Sequence, residues 1–303
     1  MSEFPQNPME NYPVRPLEFQ FSDIEGQNPL WSRTCPEFSM FINALGVHVP
    51  YFERYLVRAL SRAKAQVKDE TLLRDMSAII GQEAHHAKNF IEYNKFLASK
   101  YTKIADYDAN AKAEFSHRAK TDSMKRLVGF TAGYETFTFL SGLIILDKYE
   151  AWFEDADPVM KALWVWHQVE EVEHGATAFE VYHHLYGDDE WYRKWMVLVA
   201  GSHILMETLK AYAHMHAQEG WWKNPIKAVK SWAMFANIGS RLVWQALPVL
   251  KKGYTPRKHP MANHSQNTIQ YGWRRFEFDG GDVLKLDHDK MIKIMGLAYK
   301  PAH

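Results

Sequence analysis

Six acids and imidazoles, spread over four apolar stretches, have the types and spacing to hold metal ions. Glu83 and His86 are three residues apart, and so are Glu171 and His174. At about 100° per residue, positions i and i+3 share a helix face, so each pair aims a carboxylate and an imidazole at one point. Glu53 and Glu135 stand alone in two further apolar stretches. Carboxylates that bridge and imidazoles that complete each ion's shell suit a pair of divalent ions. Four negative charges balance two such ions, whereas four carboxylates in an apolar interior without cations carry a large desolvation cost. These six residues are expected to be catalytic as well as metal-binding.

His167 lies four residues before Glu171 and on its face. It reads either as a core histidine or as a seventh ligand that gives one metal two imidazoles. Glu170, four residues before His174, is placed to hydrogen-bond a ligand. Glu173 and His85 fall on the opposite faces by helical angle and read as non-ligands. His203 and Glu207, also four apart, read as packing or pocket residues, and Thr138 as a helix-interior threonine.

Positioning these groups requires long helices. The periodicity predicts an all-α chain. A first helix opens at Pro36, breaks near Pro50, and a longer one runs from there through Glu53 to about 67. Others span about 69–99, about 110–153 after a polar link at 106–108, and 158–186. A fifth and sixth cover 188–219 and 225–252. Residues 1–35, with five prolines, read as an arm packed on the body. Residues 36–252 form the helical dimetal domain. Residues 253–303 read as an irregular tail with a hairpin near 273–283 across Asp279-Gly280-Gly281.

Bulk composition narrows the classes. At 47% hydrophobic and 14% aromatic, most of the chain has the means to build a core. Equal numbers of basic and acidic residues, 36 each, give no sign of a nucleic-acid or anionic-membrane partner. The single cysteine, Cys35, excludes an internal disulfide and fits a reducing, cytoplasmic setting. The greasiest windows are broken by Thr, Ser, Gly or His and read as buried helices, not membrane spans. A homodimer is compatible with the near-neutral charge and the aromatic content.

The ordered set Glu53, Glu83, His86, Glu135, Glu171, His174 resembles that of ferritin-like dimetal carboxylate bundles: a lone Glu on each of two helices and Glu-x-x-His on each of two others. That resemblance implies a ferritin-like four-helix bundle, here with two additional long helices and a loop-rich tail. Arg15-Pro16-Leu17-Glu18-Phe19-Gln20-Phe21, Asn28-Pro29-Leu30-Trp31-Ser32, Glu83-Ala84-His85-His86-Ala87 and Glu171-Val172-Glu173-His174-Gly175-Ala176 resemble the bacterial family of predicted metal-dependent hydrolases over most of the chain. More remotely, the ligand order with His167 is similar to that of di-iron N-oxygenases acting on arylamines. The first reading is therefore a non-haem di-iron oxygenase that oxidises a small, fairly apolar substrate with dioxygen and an external electron donor. Its cofactor would be two metal ions, iron first, with manganese or zinc as alternatives. The second reading is a dimetal hydrolase with a metal-activated water, and the third a non-catalytic iron-binding protein.

Overall fold

Prolines and short polar caps set the helix boundaries. In the computed structural model, which describes residues 7–262, 269–286, 289, 290 and 293, α1 (Pro36–Gly46) opens on proline and α2 (Val49–Ala63) carries Pro50 in its first turn. Five later helices start on a side-chain oxygen that accepts from the first-turn amides. Asp69 caps α3 (Glu70–Lys100), Ser123 caps α5 (Met124–Asp147) and Asp157 caps α7 (Pro158–His174). Asp189 caps α9 (Glu190–Gln218) and Asn224 caps α10 (Pro225–Ala246). The remaining helices are α4 (Ile104–Thr121), α6 (Tyr149–Phe153), α8 (Thr177–Tyr186) and α11 (Tyr271–Phe278). No strand forms among the described residues; a lone antiparallel bridge joins Ser32 to Ala156. The chain is all-α.

Four expectations about the elements are corrected. The polar stretch 106–108 lies inside α4 and is not a link, and the helix expected over 110–153 is three helices. Its first break is at Asp122 and Ser123, both extended. Asp122 is held there by Arg118, Arg126 and the Tyr55 hydroxyl, while Ser123 starts the next helix. The helix expected over 158–186 divides at Gly175, which packs directly under the Phe139 ring. The hairpin expected near 273–283 is instead α11, closed by Gly280 at φ +82°. There the alternation of aromatic and basic residues follows a helix whose Trp273, Arg274 and Phe276 are buried and whose Arg275 is half-buried.

Helix α5 is the hub. It packs against α2, α7, α8, α9 and α10, and almost all of it is buried. Among the described helices it alone is long and apolar enough to cross a membrane, and that same greasiness is consumed by its five neighbours. Helix α2 lies on α3, α5 lies on α7, and the pairs join through α2 on α5 and α3 on α7. These are the four helices that carry the chemistry-bearing residues. The arm before α1 is pinned by buried Met9, Tyr12, Phe19, Phe21 and Trp31.

Close approach at the hub depends on glycine. A Cβ on Gly133 would sit 2.5 Å from the Met196 carbonyl oxygen of α9, a backbone atom with little room to yield. Gly133→Ala is therefore expected to destabilise by about 1–3 kcal/mol, seen by thermal unfolding as a Tm loss of about 2–4 °C per kcal/mol. Gly239 on α10 has open space around its Cβ position, and Gly239→Ala should be neutral or stabilising by up to about 1 kcal/mol. Equal losses in both variants would refute the role assigned to the α5–α9 contact.

Candidate metal centre

Glu53, Glu135 and His86 are carried inward beside core aromatics. Glu53 follows Phe52, and Glu135 follows Tyr134; those two rings stack at 3.6 Å. The His86 ring meets the edge of Trp166 at 4.7 Å and that of His167 at 4.5 Å. Glu53, Glu83, His86, Glu135, His167, Glu171 and His174 are all buried. The structure brings all seven together.

They fall into two groups of four that share one residue. Glu53, His86, His167 and Glu171 form one; Glu83, Glu135, Glu171 and His174 form the other, with one donor atom of each residue within 4.8 Å of the rest of its group. Glu171 presents Oε1 to His167 Nε2 at 3.1 Å and to His86 Nδ1 at 3.8 Å, and Oε2 to His174 Nε2 at 3.3 Å. Glu83 spans the halves in the same way, with Oε1 3.0 Å from His174 Nε2 and Oε2 3.8 Å from His86 Nδ1. The two Glu-x-x-His acids therefore reach both halves, while Glu53 and Glu135 serve one each.

The donors fit a pair of cations. Glu53 Oε2, both Glu83 oxygens, Glu135 Oε2 and His86 Nδ1 are buried with no hydrogen-bond partner. Orphaned atoms of this kind are costly unless something else satisfies them. On Glu53, Glu135 and His86, protons play that part in the metal-free cluster, whereas Glu83, despite its burial, is held below its ordinary value by the neighbouring His174 and His86. Burial, with Glu83 and Glu171 adding repulsion, pushes Glu53 well above the ordinary carboxylate range and Glu135 up to about 8. Burial works against charged Glu171 too, but His174 and His167 outweigh it and hold that acid well below its ordinary value. Burial likewise disfavours a charged His86, yet Glu170 and Glu83 raise it to about 9. Divalent ions would displace these protons.

A second layer of buried polar groups fixes the imidazoles. Arg15 of the arm donates from Nη1 to Glu170 Oε1 at 2.8 Å, and from both Nη atoms to Glu173 at 2.7 and 2.9 Å. It reaches Glu277 on α11 at 2.7 Å and lies over the Trp273 ring. Glu170 Oε2 then meets His86 Nε2 at 2.9 Å, leaving Nδ1 turned to the cluster. Gln82 donates to the Pro13 carbonyl and to Glu173, so its oxygen faces His174 Nδ1 at 2.9 Å. That oxygen accepts the Nδ1 proton and turns the His174 Nε2 lone pair inward. Gln168 Nε2 sits 2.8 Å from His167 Nδ1, while its own Oε1 has no partner. Turning this amide over satisfies Oε1 and points the His167 Nε2 lone pair at the cluster.

Glu170 does hydrogen-bond a cluster histidine, but its partner is His86 on α3 and not His174, four residues on, whose Nδ1 is taken by Gln82. Glu173 lies outside both groups of donors; it is buried and, with Glu170, is gripped by Arg15. Arg15, Gln82 and Gln168 were not singled out by chemistry; the one available signal is that Gln82 and Gln168 stand in the two motif stretches themselves. His203 lies apart from the cluster. It meets Glu114 at 3.1 Å and packs on His48, Phe115, Phe130 and Tyr134. Glu207 pairs with Lys210. Thr138 Oγ1 lies 3.4 Å from Glu135 Oε1, facing the acid.

Beside the cluster is a pocket with about 450 Å³ of empty space, its mouth included. Leu45, Val49, Phe137, Trp164, Ile204 and Leu242 make most of its wall; Thr138, Ser141, His167, Gln168 and Glu171 make the polar end. His167 and Glu171 belong to both the cluster and the pocket.

Removing Arg15 takes away the cation shared by two buried acids, leaving Glu170 with His86 alone and Glu173 with Arg274 at 3.3 Å. Arg15→Met should cost about 3–5 kcal/mol by thermal or denaturant unfolding. Arg15→Lys should recover only part, because an ammonium cannot grip Glu170 and Glu173 through a planar fork. A fully stable Arg15→Met protein would show that the arm does not hold the helices carrying the site.

Comparison with known proteins gives one match. The family model for predicted metal-dependent hydrolases covers residues 13–260. Neither the curated proteins nor the solved structures contain a match. The matched span takes in Arg15, the four helices that supply the buried acids and imidazoles, and both helices that close the pocket, so the chain belongs to the family of predicted metal-dependent hydrolases.

Proposed function

We propose that the chain is a dimetal hydrolase acting on a small, mainly apolar ester or amide. The observation that carries this is the junction of pocket and cluster at His167 and Glu171. Family membership supports it. Glu53, His86, His167 and Glu171 would hold one ion, and Glu83, Glu135, Glu171 and His174 the other. Bound divalent ions supply Lewis acidity and a water whose pKa is lowered toward neutrality.

The chain's own groups then do the rest. Leu45, Val49, Phe137, Ile204 and Leu242 receive the apolar part of the substrate and displace water. Thr138 and Ser141 offer hydroxyls at the polar end to a carbonyl oxygen as it gains negative charge. Glu135 accepts from the Thr138 hydroxyl at 3.4 Å and so holds it at the border of pocket and cluster.

A second reading is oxygen activation by two iron ions, with electrons from an external donor. One observation favours it: apart from His167 and Glu171, the pocket lining holds no acid or imidazole to protonate a leaving group. Oxygen and imidazole donors without thiolate also suit iron as well as manganese or zinc.

Two experiments test these readings. Chelated protein reloaded with zinc, manganese or iron(II) should release protons on binding, and should bind more weakly as pH falls, because the cluster's protons compete with metal. Reloaded protein should hydrolyse a short-chain p-nitrophenyl ester without oxygen. Glu171→Ala should lose both metal and turnover. Thr138→Val should keep metal and lose about 10²-fold in kcat. No turnover with any metal, combined with oxygen uptake by the iron(II)-loaded protein, would replace the hydrolase with the second reading.

A further inference from the structure

The zero net charge hides an uneven distribution. Between Glu219 and Glu277 the chain has no acidic residue and ten lysines and arginines. Arg257 is paired with Glu180, Arg274 with Glu173 and Arg275 with Asp279. Lys223, Lys227, Lys230, Arg241, Lys251 and Lys252 are exposed, and among the described residues none of them forms an ion pair.

The same segment exposes an apolar stripe. On α10 only Ser231 and Ile238 are buried, with Phe235 and Leu242 half-buried beside them. The inward face is thus already used against α1 and α5. Ile226, Val229 and Trp244 lie on the side of α10 opposite Ile238; with Trp222 just before the helix and Leu247 just after it, they are 47–71% exposed. Lys227, Lys230 and Arg241 run along one flank of that stripe, roughly 40–100° round the helix from Ile226, and Lys223 precedes the helix beside Trp222. Helix α9, also packed on α1 and α5, exposes Trp191, Trp195, Leu198, Leu205 and Met206. A helix apolar on two opposite faces requires a second apolar environment.

We propose that the outer faces of α9 and α10 dock on an anionic lipid bilayer. Tryptophans with a flanking row of unpaired cations are the chemistry of a helix lying at the interface, rings among the headgroups and cations on the phosphates. Charge decides against a second copy of this face as occupant. The α10 surface has no acid to answer its cations, so self-association would bring like charge to like. The pocket reaches the same region: Leu242 in its wall precedes exposed Val243 and Trp244, and Ile204 precedes exposed Leu205 and Met206. An apolar acyl substrate would then enter from the membrane side. This last consequence rests on the hydrolytic reading; the docking surface does not.

Co-sedimentation of the full chain with vesicles tests the surface without reference to activity. Binding is expected to phosphatidylcholine vesicles containing phosphatidylglycerol, weakening as salt rises, and not to phosphatidylcholine alone. The triple variant Lys223→Gln, Lys227→Gln, Lys230→Gln should bind about a hundredfold more weakly, about fivefold for each cation removed. Circular dichroism and metal content should stay unchanged, since these side chains are exposed. Failure to bind anionic vesicles overturns the proposal, as does equal binding to neutral ones. Self-association abolished by Trp222→Ser and Trp244→Ser, without vesicle binding, overturns it in favour of a second copy.

Discussion

Everything in this fold answers to the burial of four carboxylates in one small volume. Glu53, Glu83, Glu135 and Glu171 are 0–2% exposed. An isolated ionised acid in that setting is prohibitively costly, and four together repel one another besides. Three imidazoles within hydrogen-bond reach and the protons retained on Glu53 and Glu135 make the cluster tolerable. Divalent ions would make it favourable. The site is therefore best seen as a cation cavity whose walls were chosen for charge, built at the cost of apolar core.

That cost explains the second polar layer. Imidazoles can serve the cluster only if their other nitrogens are occupied, and the groups that occupy them must be satisfied in turn. Glu170 takes His86 and Gln82 takes His174; Glu170 and Glu173 then require a cation of their own. Arg15 supplies it from a segment distant in sequence, and in doing so ties the arm, α3, α7 and α11 into one network. A buried ion network of this kind is weak evidence for net stability but strong evidence for a defined geometry. Its gain lies in where the imidazoles point.

The sequence made the cluster legible because i, i+3 spacing is a property of one helix and survives without knowledge of tertiary contacts. Four separate stretches could be matched by type, and the all-α class followed from their periodicity. What was illegible depends on neighbours distant in the chain. Gly175 interrupts a helix because Phe139, 36 residues earlier, fills the space a side chain would need. Asp122 and Ser123 end and restart a helix through caps and the Tyr55 hydroxyl, where periodicity runs on unbroken. Arg15 gave no local signal at all: an arginine beside a proline in an irregular arm becomes a buried clamp only once α7 lies against it. Aromatic and basic alternation at 273–278 fits strand and helix equally over so short a run, and burial against the core chose the helix.

The same logic separates α5 from α10. Both are rich in apolar residues, and composition alone would rank α5 as the helix seeking a membrane. Packing reverses that order. Five neighbours consume every face of α5, and its glycines admit backbone contacts from α9 and α7. Helix α10 has only an inner face covered, so its Trp, Ile, Val and Leu remain on the surface beside an unbroken run of positive charge. Total hydrophobicity therefore says little about where a helix belongs. The relevant quantity is apolar surface left after the fold has taken its share, and here it remains on the two helices that also wall the pocket.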